Sequence, residues 1–168
     1  FGGRTQEVEK RTRVKARIVS QALEELVNSS SNVLIMGHTN SDIDAMGSAM
    51  GVYRFVKAIG KDAYIVNETT GTSLDTFIQD LKDIEDYQGV LVDKNTALSK
   101  ISSDSLLIVV DTDKKNYVEV PELLTKTDKI AVIDHHRRGT DYIENAMLTF
   151  HEVYASSACE LVTEIVEF

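Results

Sequence analysis

Asn32-Val33-Leu34-Ile35-Met36-Gly37-His38-Thr39-Asn40-Ser41-Asp42-Ile43-Asp44-Ala45-Met46-Gly47 is the stretch that decides the fold. Val33 to Met36 is an unbroken apolar run, the pattern of a short strand buried on both faces. Gly37 and a polar loop follow. From about Ile43 to Ile59 the residues read as a helix, and Gly60 stops it, because glycine accepts the left-handed turn after a helix. Strand, polar turn and helix make the unit from which parallel sheets are built.

Similar units follow. Ala63 to Val66 reads as a second strand and Ser73 to Leu81 as a short helix capped by Ser73. Leu106 to Val110 is a continuous apolar strand, and Lys129 to Ile133 is another. Glu122 to Lys126 reads as one helical turn after Pro121, the only proline. Met147 to Val153 is ambiguous, and Ser156 to Val166 reads as a helix. The expected fold class is α/β, a mostly parallel, Rossmann-like sheet with helices on both faces. Ahead of it, Thr5 to Asn28 reads as one helix. Val14, Ile18, Ala22, Leu23 and Leu26 form its apolar stripe, while Glu7, Lys10, Arg13 and Lys15 lie mostly off it. The chain thus divides into a linker or packing helix over 1–28 and a domain over 29–168.

Composition narrows the function. With 168 residues, 42% of them apolar, the chain is one domain with a real core. Its net charge of −9 argues against a surface that coats duplex nucleic acid, though not against a nucleotide held through metal ions. A lone cysteine, Cys159, excludes an internal disulfide and a thiolate zinc site, and points to a reducing, intracellular compartment. No apolar run approaches the roughly 20 residues of a membrane span. The chain does not begin with Met, so we expect a piece of a longer protein.

Three strands run into chemistry-bearing residues. The first reaches His38, Asp42 and Asp44, the Leu106 strand reaches Asp111-Thr112-Asp113, and the Lys129 strand reaches Asp134-His135-His136-Arg137. In open α/β sheets ligands bind outside the carboxyl ends of the strands, so these groups should converge. Carboxylate oxygens and imidazole nitrogens suit Mn²⁺, Mg²⁺ or Fe²⁺. Converging carboxylates repel one another unless cations stand between them. A bridging carboxylate can hold two metals about 3.5–4 Å apart, the spacing for in-line displacement at phosphorus. Each residue alone has a plainer reading. Asp44 could cap the helix that follows, and His135-His136 could be structural. Asp113 reads as a solvated turn residue, His151 as structural, Lys114-Lys115 as an exposed charge run, and Ser156 with Ser157 as caps. Independent caps do not predict His-x-x-x-Asp-x-Asp, Asp and Asp-His-His in that strand order.

Those motifs resemble the DHH phosphoesterase superfamily over about residues 33–165. Residues Phe1 to Arg17 further resemble the junction between a degenerate GGDEF domain and the DHH domain in GdpP-type cyclic di-AMP phosphodiesterases. The resemblance implies that His38 and Asp42 hold one metal, Asp44 and His135 a second, and Asp111 bridges them. It implies two Mn²⁺ ions per complete site, with Mg²⁺, Fe²⁺ or Co²⁺ as substitutes. Asp134 would orient a histidine, and His136 with Arg137 would contact a substrate phosphate. The implied reaction is hydrolysis of a cyclic dinucleotide, cyclic di-AMP, to pApA by a metal-bridging hydroxide. Short oligonucleotides, as for a nanoRNase, and nucleotide binding without turnover are the alternatives. The family's further metal-binding Asp and its DHHA1 domain have no counterpart before Phe168, so the chain alone is expected to turn over weakly. The implied setting is the cytoplasmic domain of a cell-membrane protein of Gram-positive bacteria, anchored through N-terminal helices outside this chain. A homodimer is compatible with it.

Overall fold

The apolar run quoted first is β1 (Val33–Met36), and every one of its residues is buried. The structure is a computed structural model that describes residues 2–68, 70–71 and 74–168, the side chains of 2–12 excepted. Before β1 comes α1 (Gly2–Asn28). After it come α2 (Ile43–Ile59), β2 (Ala63–Val66), α3 (Asp75–Lys82), β3 (Leu91–Val92), α4 (Lys94–Lys100), β4 (Leu106–Val110), β5 (Ile130–Asp134), β6 (Leu148–His151) and α5 (Ala158–Val166). Short 3-10 turns cover Glu85–Tyr87 and Pro121–Thr125. The six strands form one sheet of order β3-β2-β1-β4-β5-β6, and each neighbouring pair is parallel.

Unbroken apolar strands need cover on both sides, and alternation along each strand divides the core in two. Val33 and Ile35 of β1, with Leu106, Ile108 and Val110 of β4, pack under α1, α2 and α5. Leu34 and Met36, with Leu107 and Val109, pack under Ala97 of α4 and Leu123 of the second 3-10 turn. The expected α/β class, with helical cover on both faces, is what the sheet shows.

Some boundaries differ from expectation. The apolar stripe of α1 is rotated. Ala16, Val19, Leu23 and Val27 are buried, whereas Val14 and Ile18 are each 61% exposed. Alanine at 16 weighs little in a hydrophobic pattern, yet it is fully buried. The side chains of Glu7 and Lys10, and Ser73 with its expected cap, lie outside the described residues. The ambiguous Met147–Val153 stretch contains the edge strand β6. Besides the 3-10 turn Glu85–Tyr87, β3 and α4 have no counterpart in the sequence reading. β3 has two residues and α4 has seven, both too short for a period to show.

α2 and α5 pack through glycine. A Cβ at Gly47 would stand 2.9 Å from Cys159 Sγ, and one at Gly51 would stand 2.6 Å from Val162 Cγ1. Valine cannot swing aside cheaply because its χ1 is stiff. Gly51→Ala should therefore lose stability, because overpacking costs about 1–3 kcal/mol while the gain in helix propensity returns about 1 kcal/mol. In a Val162→Ala background the same change should be neutral or stabilising. Urea unfolding of all four chains checks this, and a higher midpoint for Gly51→Ala alone would contradict the close approach.

Candidate functional site

Strand order creates the site. From the central pair, β1 leads outward to β2 and β3, and β4 leads outward to β5 and β6. Such a reversal of direction leaves a crevice at the carboxyl ends of the two central strands. His38 follows β1 and Asp111 follows β4. Asp134 ends β5, and His135 and His136 come next.

Asp111 stands at the centre. Its backbone is left-handed, with φ 60, and its N–H donates to the Ile133 carbonyl at 2.9 Å. Asp tolerates that conformation better than most residues, at some cost in strain. The side chain is 2% exposed. Oδ2 lies 3.4 Å from His38 Nε2, and Oδ1 lies 3.3 Å from His135 Nε2 and 3.7 Å from His136 Nδ1. Oδ1 has no hydrogen-bond partner. One carboxylate therefore faces a different donor set with each oxygen.

On the first side, His38 Nδ1 lies 2.9 Å from the Thr39 carbonyl. A carbonyl only accepts, so Nδ1 carries the proton and Nε2 is left for the site. The ring stacks on Tyr117 at 5.4 Å. Its pKa is raised to about 9, chiefly by the hydrogen bond with Asp111, against the opposing effect of burial. Asp42 caps α2, and its Oδ1 accepts the N–H groups of Asp44 and Ala45 at 2.9 and 3.0 Å. The same oxygen is 3.8 Å from His38 Nε2.

On the second side, Asp44 caps a distant helix. Its two oxygens accept the N–H groups of Ala158 and Cys159, each at 2.9 Å, at the start of α5. Burial pushes this carboxyl up, but the Cys159 and Ala158 bonds and the charge of His135 outweigh it and leave it below the usual carboxylate range. Asp44 Oδ2 is 3.6 Å from His135 Nε2. The plain reading of Asp44 as the α2 cap thus belongs to Asp42. Ser157 caps α5 by accepting Glu160 N–H at 3.1 Å, and Ser156 binds the Glu160 carboxylate.

Asp134 is fully buried and orients one of the histidines. Its Oδ1 holds His136 Nδ1 at 2.8 Å. The His136 side chain is 52% exposed, and Arg137 is exposed beside it. Asp113 corrects an expectation. It is no solvated turn residue but is 3% exposed, with burial and the charge of Asp134 raising its carboxyl. His151 ends β6 directly opposite Asp134. The spacing Asp-x-Asp after β4 was the available signal for Asp113, but nothing in the sequence paired it with a strand whose existence was ambiguous.

The donors fit divalent cations. His38, Asp42 and Asp111 bring donor atoms within 4.8 Å of one another, as do Asp111, His135 and His136. All are oxygen or imidazole nitrogen, and Asp111 Oδ1 accepts no hydrogen bond. Cys159 adds no soft ligand, because burial pushes its thiol up to about 11 and Sγ donates to the Asp44 carbonyl.

The profile described as the DHH family, N-terminal domain, matches residues 32–168. The chain belongs to the DHH family. Among curated relatives, the cyclic-di-AMP phosphodiesterase GdpP of Bacillus subtilis (strain 168) is 42% identical over 170 residues, covering 100% of this chain and 26% of that protein. The cyclic-di-AMP phosphodiesterase PdeA of Listeria monocytogenes is also 42% identical, over 171 residues, again covering 100% of this chain and 26% of its own length. The chain thus spans about a quarter of the curated relatives it matches. A bifunctional oligoribonuclease and PAP phosphatase, NrnA of Mycoplasma genitalium, is 28% identical over 79% of the chain and 38% of that protein. The crystal structure of an exopolyphosphatase-related protein from Bacteroides fragilis shares the fold. Its TM-score is 0.69 at 19% identity, over 89% of this chain and 43% of that one.

Two measurements test the geometry. Asp44→Ala removes both acceptors from the start of α5 and should cost about 1–3 kcal/mol in metal-free urea unfolding. An unchanged midpoint would mean that α5 does not depend on Asp44. In calorimetry, the parent chain should bind Mn²⁺ saturably, and Asp111→Asn should bind at least one ion fewer. Equal binding by both would remove Asp111 from the centre.

Proposed function

We propose that the protein containing this chain hydrolyses the cyclic dinucleotide cyclic di-AMP to linear pApA at a two-metal centre. The observation that carries the reading is the Asp111 carboxylate, whose two oxygens face separate imidazole sets 3.4 and 3.3 Å away. The two relatives at 42% identity are named for that activity. His38 and Asp42 with Asp111 Oδ2 would hold one ion, and Asp44 and His135 with Asp111 Oδ1 the other. When bound, the metal pair, Mn²⁺ in our reading, supplies Lewis-acid charge at the phosphoryl group and lowers the pKa of a water.

The chain's own residues do the rest. Asp134 fixes the ring of His136 through Nδ1 and leaves Nε2 for a phosphate oxygen. Arg137, exposed next to it, offers a forked guanidinium to the same phosphate. The cap bonds to Asp44 keep that carboxylate ionised and in place.

We further read residues 29–168 as the catalytic domain, α1 as the helix leading in from a preceding domain, and the whole as a cytoplasmic domain of a membrane-anchored protein. Among the described residues no helix is long and apolar enough to cross a membrane. Relatives at 33% identity are named as membrane protein fusions. Short oligoribonucleotides are the second substrate reading, favoured by the match to NrnA.

Side-by-side hydrolysis of cyclic di-AMP and a short RNA by the full-length parent decides between them. We expect pApA as the product, preference for the cyclic dinucleotide, and activity at background in Asp111→Asn. Preference for the RNA would overturn the substrate, and an active Asp111→Asn would overturn the metal centre.

A further inference from the structure

Beside the candidate two-metal centre lies a second group of donors that the proposed reaction does not use. Asp113 follows Asp111 by two residues, and Asp134 and His151 face each other across the ends of β5 and β6. One donor atom from each of the three lies within 4.8 Å of the others. Asp113 is 3% exposed and Asp134 0%. Both oxygens of Asp113 and Oδ2 of Asp134 are buried without a hydrogen-bond partner. The remaining oxygen of Asp134 is occupied by His136.

Positive charge is scarce around them. Arg138 Nε stands 3.4 Å from Asp113 Oδ2, on a side chain that is 44% exposed and leans over the Tyr142 ring. His151 Nε2 is 4.0 Å from Asp134 Oδ2 and bonds to the His136 carbonyl. A buried carboxylate needs hydrogen bonds, a partner charge or a metal ion. Three orphaned oxygens facing one imidazole and a partly solvated guanidinium leave that need unmet.

We propose that Asp113, Asp134 and His151 form a third divalent-cation site, one carboxylate away from the candidate two-metal centre. Two carboxylate oxygens and an imidazole nitrogen suit Mn²⁺ or Zn²⁺. Metal–ligand bonds of about 2.0–2.2 Å let two donors on one ion stand about 4 Å apart, so the observed spacing closes with small side-chain shifts. His151 Nε2 would turn from the His136 carbonyl to the ion. Asp134 would then join the two regions, with Oδ1 on His136 and Oδ2 on the ion. Arg138, half in solvent, is free to swing clear as the ion enters.

The test removes the first centre and asks whether a cation remains. Native mass spectrometry with Mn²⁺, and separately with Zn²⁺, is run on the parent, on Asp111→Asn, on Asp113→Asn, and on Asp111→Asn combined with Asp113→Asn or with His151→Gln. We expect Asp111→Asn to keep one cation per chain and both double variants to lose it. Zn²⁺ should also shift the ring nitrogen NMR signals of His151 in Asp111→Asn but not after Asp113→Asn is added. If Asp111→Asn binds none of either metal, or the double variants bind as many ions as Asp111→Asn, the site is overturned. If parent and Asp111→Asn bind equal numbers while Asp113→Asn binds fewer, the two-metal reading fails and this one stands. Without metal, Asp113→Asn should unfold at no lower urea concentration than the parent, because it replaces a buried carboxylate that lacks hydrogen bonds and is paired only with the half-exposed Arg138 by a neutral group of the same shape. A lower midpoint would show that Asp113 is already satisfied inside the protein, and would also overturn the site.

Discussion

One buried carboxylate has to find positive charge on both of its oxygens, and the site is arranged around that need. Asp111 cannot retreat. Its backbone is left-handed directly after β4, and its N–H is fixed to the neighbouring strand through Ile133. Its two oxygens therefore point at His38 on one side and His135 on the other. The hydrogen bond to Asp111 raises His38 to about 9 despite burial. A divalent ion offers more charge than a proton and can be shared by more oxygens.

The same residues that would hold cations also hold the helices. Asp42 spends one oxygen on the first turn of α2, and Asp44 spends both on the first turn of α5. Helix N-termini carry partial positive charge, and at Asp44 the bonds to the start of α5 outweigh burial and hold the carboxyl below its usual range. The arrangement works only because α5 comes close to α2, and it comes close because Gly47 and Gly51 present no Cβ to Cys159 and Val162. Helix packing thus sets a distance in the site, linking glycine in the sequence to the position of Asp44 and from there to His135.

Much of this was legible in the residues alone, and for a physical reason. A strand buried on both faces must be apolar throughout, so β1, β4 and β5 stood out, and the polar residues that end each run marked the same edge of one sheet. His38, Asp42, Asp44, Asp111 and the Asp134-His135-His136 triplet could be placed together on topology alone. What was hidden depends on tertiary context. The buried side of α1 turns on Ala16, whose weight in a hydrophobic pattern is small. β3 is two residues long. Asp113 and His151 become partners only because β6 adds to β5 in a register that sets His151 opposite Asp134. No local pattern encodes a register between distant segments.

A parallel sheet delivers every strand's carboxyl end to one edge, and here it delivers acids. Asp42, Asp44, Asp111, Asp113 and Asp134 gather there in a chain whose net charge is already −9. The internal compensation is of known kinds. A helix terminus contributes about 0.3–1 kcal/mol per nearby charge, whereas burying an ion costs several kcal/mol. Two helix starts and one histidine, His38, raised to about 9 by its hydrogen bond with Asp111, fall short of that cost. The deficit is concentrated on the oxygens at this edge that lack any hydrogen bond, Oδ1 of Asp111, both oxygens of Asp113 and Oδ2 of Asp134. The tension at this edge therefore has one origin, the crowding of acids that the parallel topology imposes.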